Sequence, residues 1–168
     1  MNSSILDLGT GSGLIALSIA KFYKNNKILG LDKNFKSIMI AKKNAIIHDL
    51  SNVYFILSDW FNSIKNMHFD IIVSNPPYIS YEENFLLKKN IFFEPLNALF
   101  SEKKGLRDIK YIIQESKKYL NSNGWLMIEH GFMQRKIILK YFKIHKYSNI
   151  ISYKDIYGIY RITIGQIK

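Results

Sequence analysis

Asn75-Pro76-Pro77-Tyr78 stands directly after the apolar run Phe69-Asp70-Ile71-Ile72-Val73-Ser74. Such a tetrapeptide at the end of a buried strand suits the grip of a planar amide or amino group. The nitrogen of that group has its lone pair delocalised into a π-system, and it must rehybridise before it can attack a methyl group. Two acceptors that draw the N–H bonds out of the old plane favour this change: the Asn75 side-chain oxygen and the Pro76 backbone carbonyl. Consecutive prolines restrict the backbone and pre-aim both acceptors. Tyr78 adds a flat face or an edge against the planar group. Hydrogen bonds that strengthen as nitrogen becomes positive stabilise the transition state preferentially. The plain alternative is a proline turn with an incidental asparagine.

A second constellation lies upstream. Asp7-Leu8 ends an apolar segment and is followed by Gly9-Thr10-Gly11-Ser12-Gly13 and then a helix-like stretch. Glycines in such a turn accept positive φ and let a ligand approach the backbone closely. The turn alone also serves dinucleotides and phosphates, or is simply a strand–helix connection. Asp32, nineteen residues after Gly13, closes the next apolar segment, Leu29-Gly30-Leu31. In an open parallel sheet this brings a carboxylate beside the first turn, where it can accept from both hydroxyls of a ribose. Asp59-Trp60 closes the third segment. Asp59 could accept from an adenine amino group and Trp60 could pack on the ring, or serve as a core aromatic under the loop. Position 16 is Ala where a dinucleotide turn places a further glycine, which is tolerable there; the Asn75–Tyr78 loop argues against a nicotinamide cofactor. Together the two constellations imply methyl transfer from S-adenosylmethionine to a planar nitrogen. The sulfonium is an activated leaving group, so no general base is needed before attack, and orientation carries most of the catalysis.

These residues need a scaffold, and the chain has the size for one. Its 168 residues fit a single domain with a sizeable core. A hydrophobic share of 48% and a charged share of 22% are those of a globular protein. No apolar run approaches the ~18 residues that span a bilayer. Met1-Asn2-Ser3-Ser4 has no basic region before a strand-like segment, so no signal peptide and a cytoplasmic location are expected. The absence of cysteine excludes disulfides and thiolate sites. His48, His68, His130 and His145 show no metal-ligand spacing, and His130, after the fifth strand, reads as a loop anchor. The net charge of +11 raises nucleic acid as a partner. Against that, arginine occurs only at 107, 135 and 161, and the 21 lysines are spread over most helices alongside abundant Ile and Asn. This is the signature of A+T-rich coding rather than of a phosphate-binding face.

Alternation of strand-like and helix-like segments predicts an α/β fold, a mostly parallel sheet with helices on both faces. Strands are expected at 4–8, 27–31, 53–57, 69–74 and 125–129, and a terminal antiparallel hairpin at 149–153 and 160–165. Helices are expected at 13–23, with Leu14, Leu17, Ile19 and Ala20 apolar; at 35–49, with Ile38, Ala41, Ala45 and Ile46 near a 3.6 period; at 106–120, closed by a turn at Asn121-Ser122-Asn123-Gly124; and at 134–145. Residues 79–101 read as a long functional loop with a short helix. Uninterrupted runs such as Ile71-Ile72-Val73 fit strands covered on both faces. Seven strands with a late antiparallel pair resemble the Rossmann-like layout of class I S-adenosylmethionine-dependent methyltransferases.

Over nearly its whole length the chain resembles the protein-(glutamine-N5) methyltransferases of the HemK/PrmC type, which modify peptide-chain release factors. The residues that carry the resemblance are Asp7 to Gly13, Ser58-Asp59-Trp60-Phe61, Val73 to Ile79, Phe93-Glu94-Pro95-Leu96, Ala98-Leu99 and Glu129-His130-Gly131. Asn-Pro-Pro-Tyr is shared with adenine-N6 DNA and guanine-N2 rRNA methyltransferases; Phe93-Glu94-Pro95-Leu96 and Glu129-His130-Gly131 discriminate better. The resemblance implies class 1 release factors as protein substrate, through the glutamine of their Gly-Gly-Gln motif. It implies that Gly9, Thr10, Gly11, Ser12 and Gly13 bind the methionine end of the cofactor, Asp32 the ribose, and Trp60 the adenine region. Asn75, Pro76, Pro77 and Tyr78 would hold the glutamine amide. Family members usually carry a helical N-terminal domain; here the first strand begins almost at Met1, so 1–168 is expected to be one catalytic domain, a monomer, without it. The family often has Arg before Phe-Glu-Pro, and here position 92 is Phe. Two other readings compete: methylation of an exocyclic amine of a nucleic-acid base, and an inactive remnant.

Overall fold

The computed structural model describes residues 2–78 and 106–168. The loop expected over 79–101, with Phe93, Glu94, Pro95, Leu96, Ala98 and Leu99, lies outside the described residues. Seven strands form one sheet: β1 (Ser4–Leu8), β2 (Lys27–Asp32), β3 (Val53–Leu57), β4 (Phe69–Ser74), β5 (Leu120–Glu129), β6 (Ser148–Lys154) and β7 (Tyr160–Gln166). Their order is β3-β2-β1-β4-β5-β7-β6. The first five run parallel, and β7 is antiparallel to both β5 and β6. The chain moves outward from β1 to β3 and then returns to β4 on the other side of β1. That reversal opens a crevice beyond the carboxyl ends of β1 and β4, the place where open α/β sheets bind ligands.

Apolar residues alternate between the two faces, so β1, β2, β4 and β5 each feed two cores. Ile5, Ile28, Val53, Phe55 and Val73 pack under α1 (Leu14–Phe22) and α2 (Phe35–Ile47). These helices present Ala16, Ala20, Ala41 and Ala45, whose small side chains bring them close to the sheet. Leu6, Leu8, Leu29, Leu31, Ile72, Leu126 and Ile128 pack on the other face with α3 (Arg107–Glu115) and α4 (Arg135–Ile144). Ile109, Ile112 and Ile113 of α3 are fully buried, as is Phe142 of α4, whose ring meets Tyr147 edge-on at 5.0 Å. Tyr147 in turn donates to the Ile113 carbonyl at 3.1 Å, tying α3 to the start of β6.

The expected strands β1, β3 and β4 are found with the same boundaries, because each is an apolar run bounded by polar turn residues. Other expectations need correction. Leu14 and Ile46 are 74% and 80% exposed rather than core. The buried stripes are Ala16, Leu17 and Ala20 on α1 and Ile38, Ala41 and Ala45 on α2; Leu14 and Ile46 sit off them. The helix expected to run from 106 to 120 stops at Glu115, tightens into a 3-10 turn over Ser116–Lys118, and gives way to β5 at Leu120. Buried Ser116 donates back to the Ile112 carbonyl at 2.6 Å, which competes with continued α-helix. The turn expected at Asn121–Gly124 is instead an irregular start to β5, with Asn123 at φ 63° and a register shift between Phe69 and Ile71. Asp70 holds this corner: it accepts from Asn121 Nδ2 at 2.8 Å and from the Ser4 amide at 2.8 Å, and these bonds keep its carboxyl below the usual range.

Candidate active site

Glycine 9, 11 and 13 all take positive φ, at 73°, 56° and 89°, so the turn after β1 is left-handed at alternate residues. Gly9 and Thr10 both donate their amides to the Leu31 carbonyl, at 2.8 and 2.9 Å, which pins the turn to the end of β2. Among the described residues nothing lies within 4 Å of where a Gly11 side chain would point, which suits close approach of a ligand to the backbone. Gly13 is different: a Cβ would lie 3.0–3.1 Å from Leu17, Ala41 and Phe55, so this glycine serves helix–sheet packing. Ser12 is exposed, and its carbonyl accepts from Asn44 of α2 at 3.0 Å.

Asp7 and Thr10 turn inward rather than toward the crevice. Asp7 is 1% exposed, and its Oδ2 accepts from the Thr10 hydroxyl at 2.7 Å and from the Ala16 amide at 3.1 Å. Gly13, the N-cap of α1, has no side chain to cap the helix; a carboxylate from β1 satisfies a first-turn N–H in its place. Burial pushes the Asp7 carboxyl up to about 6, against the two hydrogen bonds, and the nearby Asp32 charge adds to the rise. The other oxygen, Oδ1, is buried without a hydrogen-bond partner among the described residues. The backbone of Gly11, with nothing among the described residues against it, fits the close approach of the amino-acid end of S-adenosylmethionine.

Asp32, at the end of β2, is half-buried. Its Oδ2 accepts from the Gly11 amide at 2.9 Å and its Oδ1 from the Asn34 amide at 2.8 Å, which leaves a second lone pair on each oxygen for a diol. Trp60, just beyond β3, has φ 49°, and its indole lies 3.6 Å from where a Gly9 Cβ would be. It is also packed partly against the core, as the core-aromatic reading expects. Asp59 is exposed beside it.

The Asn75–Tyr78 segment leaves β4 at the crevice. The Ser74 hydroxyl donates to the Leu8 carbonyl at 2.8 Å, so the loop starts level with the end of β1. Asn75 is exposed, Pro76 buried, and Pro77 and Tyr78 half-buried. Thus Gly9, Gly11, Asp32, Trp60 and Asn75 to Tyr78 gather at one end of the sheet, at β1, β2, β3 and β4.

Two residues at this site carry roles that the sequence does not disclose. Tyr78 donates its phenol hydrogen to Glu129 Oε1 at 2.9 Å, and Gln134 donates from Nε2 to the Tyr78 carbonyl at 2.9 Å. These contacts span 51 and 56 residues. The only signal for them was the Glu129-His130-Gly131 segment, whose glutamate reads as structural in isolation. His130 is buried, with Nδ1 3.0 Å from the Gly131 carbonyl and Nε2 2.8 Å from the Thr163 hydroxyl. Burial lowers its pKa, so it is a neutral loop anchor.

The sequence matches the family model described as methyltransferase small domain over residues 1–105. It is 50% identical over 165 residues to a protein of Buchnera aphidicola subsp. Schizaphis graminum named release factor glutamine methyltransferase, covering 98% of this chain and 60% of that one. A protein of the same name from Escherichia coli K12 is 36% identical over 162 residues, covering 96% and 58%. The chain thus spans about 60% of the length of these curated relatives. Among solved structures, a methyltransferase from Pyrococcus furiosus superposes with a TM-score of 0.74 at 20% identity, over 98% of this chain and 75% of that one, a likeness of fold. No described helix is long and apolar enough to cross a membrane. The fold, the crevice and the family match agree: the chain belongs to the methyltransferase small domain family.

Proposed function

We propose that this chain transfers a methyl group from S-adenosylmethionine to the side-chain amide nitrogen of a glutamine in peptide-chain release factors, the glutamine of their Gly-Gly-Gln motif. The observation that carries the reading is the 50% identity, over 98% of the chain, to a protein named for that activity. The geometry is consistent with it. The glycine turn, Asp32 and the Asn75–Tyr78 loop follow the carboxyl ends of the neighbouring strands β1, β2 and β4.

The bound cofactor supplies a methyl group on a positively charged sulfur, which leaves as a neutral thioether. Gly9, Gly11 and Ser12 would hold its amino-acid end, on a turn that Thr10 and Gly13 shape from behind; Asp32 would hold its ribose, and Asp59 and Trp60 its adenine. Asn75 Oδ1 and the Pro76 carbonyl accept the two amide N–H bonds of the glutamine and turn the nitrogen lone pair toward the methyl carbon. As the N–C bond forms, nitrogen becomes positive and both acceptors bind more strongly, which lowers the barrier. The surplus proton leaves the nitrogen afterwards. Tyr78 restricts rotation of the amide plane.

The test is transfer of labelled methyl from S-adenosylmethionine to purified release factor. A Gly-Gly-Gln variant with Gln→Ala and bulk nucleic acid serve as parallel substrates. Label on the wild-type factor alone supports the reading. Label on nucleic acid moves the substrate to a base amine, and no label on any acceptor defeats it for this chain.

A further inference from the structure

We propose that Glu129 and Gln134 are positioning residues that hold Tyr78 at both ends, and so set the plane in which the substrate amide is presented; this rests on the proposed glutamine methylation.

The Tyr78 phenol is fixed by Glu129 Oε1 at 2.9 Å and its backbone carbonyl by Gln134 Nε2 at 2.9 Å. One bond would leave the residue free to swing about the other end. Two bonds, at the tip of the ring and at the main chain, remove that freedom. Both anchors are themselves held. Glu129 is the last residue of β5, whose Ile128 is in register with Ser74 of β4, so it projects just past the point where the Asn75 loop begins. Gln134 is buried, and its Oε1 accepts from the Gly131 amide at 3.0 Å. Gly131 is braced through its carbonyl by His130, which meets Thr163 of β7, and Thr163 meets Ser152 of β6 at 3.0 Å. The antiparallel hairpin at the sheet edge is therefore connected to the loop that grips the substrate. A bond from a phenol to a carboxylate is charge-assisted and about twice as strong as a neutral one.

The experiment compares Glu129→Ala, Glu129→Gln, Tyr78→Phe, Gln134→Glu and the double variant Glu129→Ala/Tyr78→Phe. Kinetics with release factor and cofactor binding are measured for each. Glu129→Ala and Tyr78→Phe are each expected to lower kcat about ten- to a hundredfold, with cofactor affinity unchanged. The double variant is expected to be no slower than either single one, because both remove the same bond. Glu129→Gln keeps an acceptor and is expected to restore most of kcat. Gln134→Glu keeps the bond to Gly131, loses the donor to Tyr78, and is expected to lower kcat as well. Unchanged kcat in Glu129→Ala, or effects that multiply in the double variant, overturns the proposal. A wild-type chain that fails to methylate release factor defeats the functional reading instead. The clamp is then read by fluorine NMR of the fluorotyrosine-labelled chain, where the resonance lost in Tyr78→Phe identifies the ring. That resonance is expected to shift in Glu129→Ala and hold in Glu129→Gln; identical spectra in wild type and Glu129→Ala overturn the clamp.

Discussion

The Gly11 amide donates to Asp32 Oδ2 at 2.9 Å. This bond joins the middle of the glycine turn to the end of the neighbouring strand, so the residue expected to bind ribose also shapes the turn. Asp32→Ala is expected to weaken S-adenosylmethionine binding about ten- to a hundredfold, by loss of charge-assisted hydrogen bonds together with loosening of the turn. Asp32→Asn keeps one carbonyl acceptor and is expected to fall between wild type and Asp32→Ala. Isothermal titration with the cofactor measures both; equal affinity in all three chains removes Asp32 from the site.

Asp7 gives the fold a pH dependence of known sign. Its carboxyl is raised from 3.8 to about 6, chiefly by burial, so the folded state holds the proton more tightly than the unfolded chain. The stability this confers is full below pH 4 and is lost as pH rises through 6, a fall of about 3 kcal/mol from this group alone. Asp7→Asn is neutral at all pH and its amide oxygen can still accept from the Ala16 amide. Urea unfolding at several pH values should show that wild type loses stability relative to Asp7→Asn between pH 4 and pH 6. A constant difference across that range would contradict the assignment.

The glycines of the site separate by what surrounds them. Gly13→Ala places a Cβ at φ 89° against Leu17, Ala41 and Phe55, and is expected to cost about 1–3 kcal/mol of stability. Gly30→Ala brings a Cβ within 2.6 Å of the buried Phe55 ring and 2.9 Å of the Thr10 hydroxyl, and is expected to destabilise the chain and disturb the turn together. Gly11→Ala meets no neighbour among the described residues. Its expected signature is a smaller stability loss, about 1 kcal/mol, with a large loss of cofactor affinity. Thermal unfolding and cofactor titration on the three variants separate these patterns.

Phe132 and Met133 are 59% and 74% exposed, between Gly131 and the Gln134 that holds Tyr78. Apolar side chains next to the residue that bonds Tyr78 suit contact with a protein substrate better than with a phosphate backbone. Phe132→Ala/Met133→Ala is expected to raise KM for release factor several-fold, with cofactor affinity and kcat nearly unchanged. An unchanged KM would place the protein contact elsewhere.

Legibility followed the range of the interactions. The turn from Gly9 to Gly13, Asp32 at a strand end and the Asn75–Tyr78 loop were visible because each is a local pattern at a fixed place in a strand–helix alternation. The ends of α3 were not, because the back-bond of Ser116 and the pairing of Leu120 with Phe69 decide them. The Asn123 signal was real, but it marks a bulge inside a strand rather than a loop. Asp7 read as a strand end, and its service as the missing cap of α1 depends on the turn folding back over it. Glu129 and Gln134 act on a residue more than fifty positions away, and no local pattern encodes that meeting.

The central claim is that the methyl group goes to one side-chain amide. The most direct measurement is mass spectrometry of release factor after incubation with this chain and isotopically labelled S-adenosylmethionine, with fragmentation of the peptide that carries Gly-Gly-Gln. The account predicts a single labelled methyl on the glutamine side chain, greatly reduced when Asn75→Ala replaces the wild-type chain. A methyl group on any other residue, or label found only in nucleic acid, would contradict it.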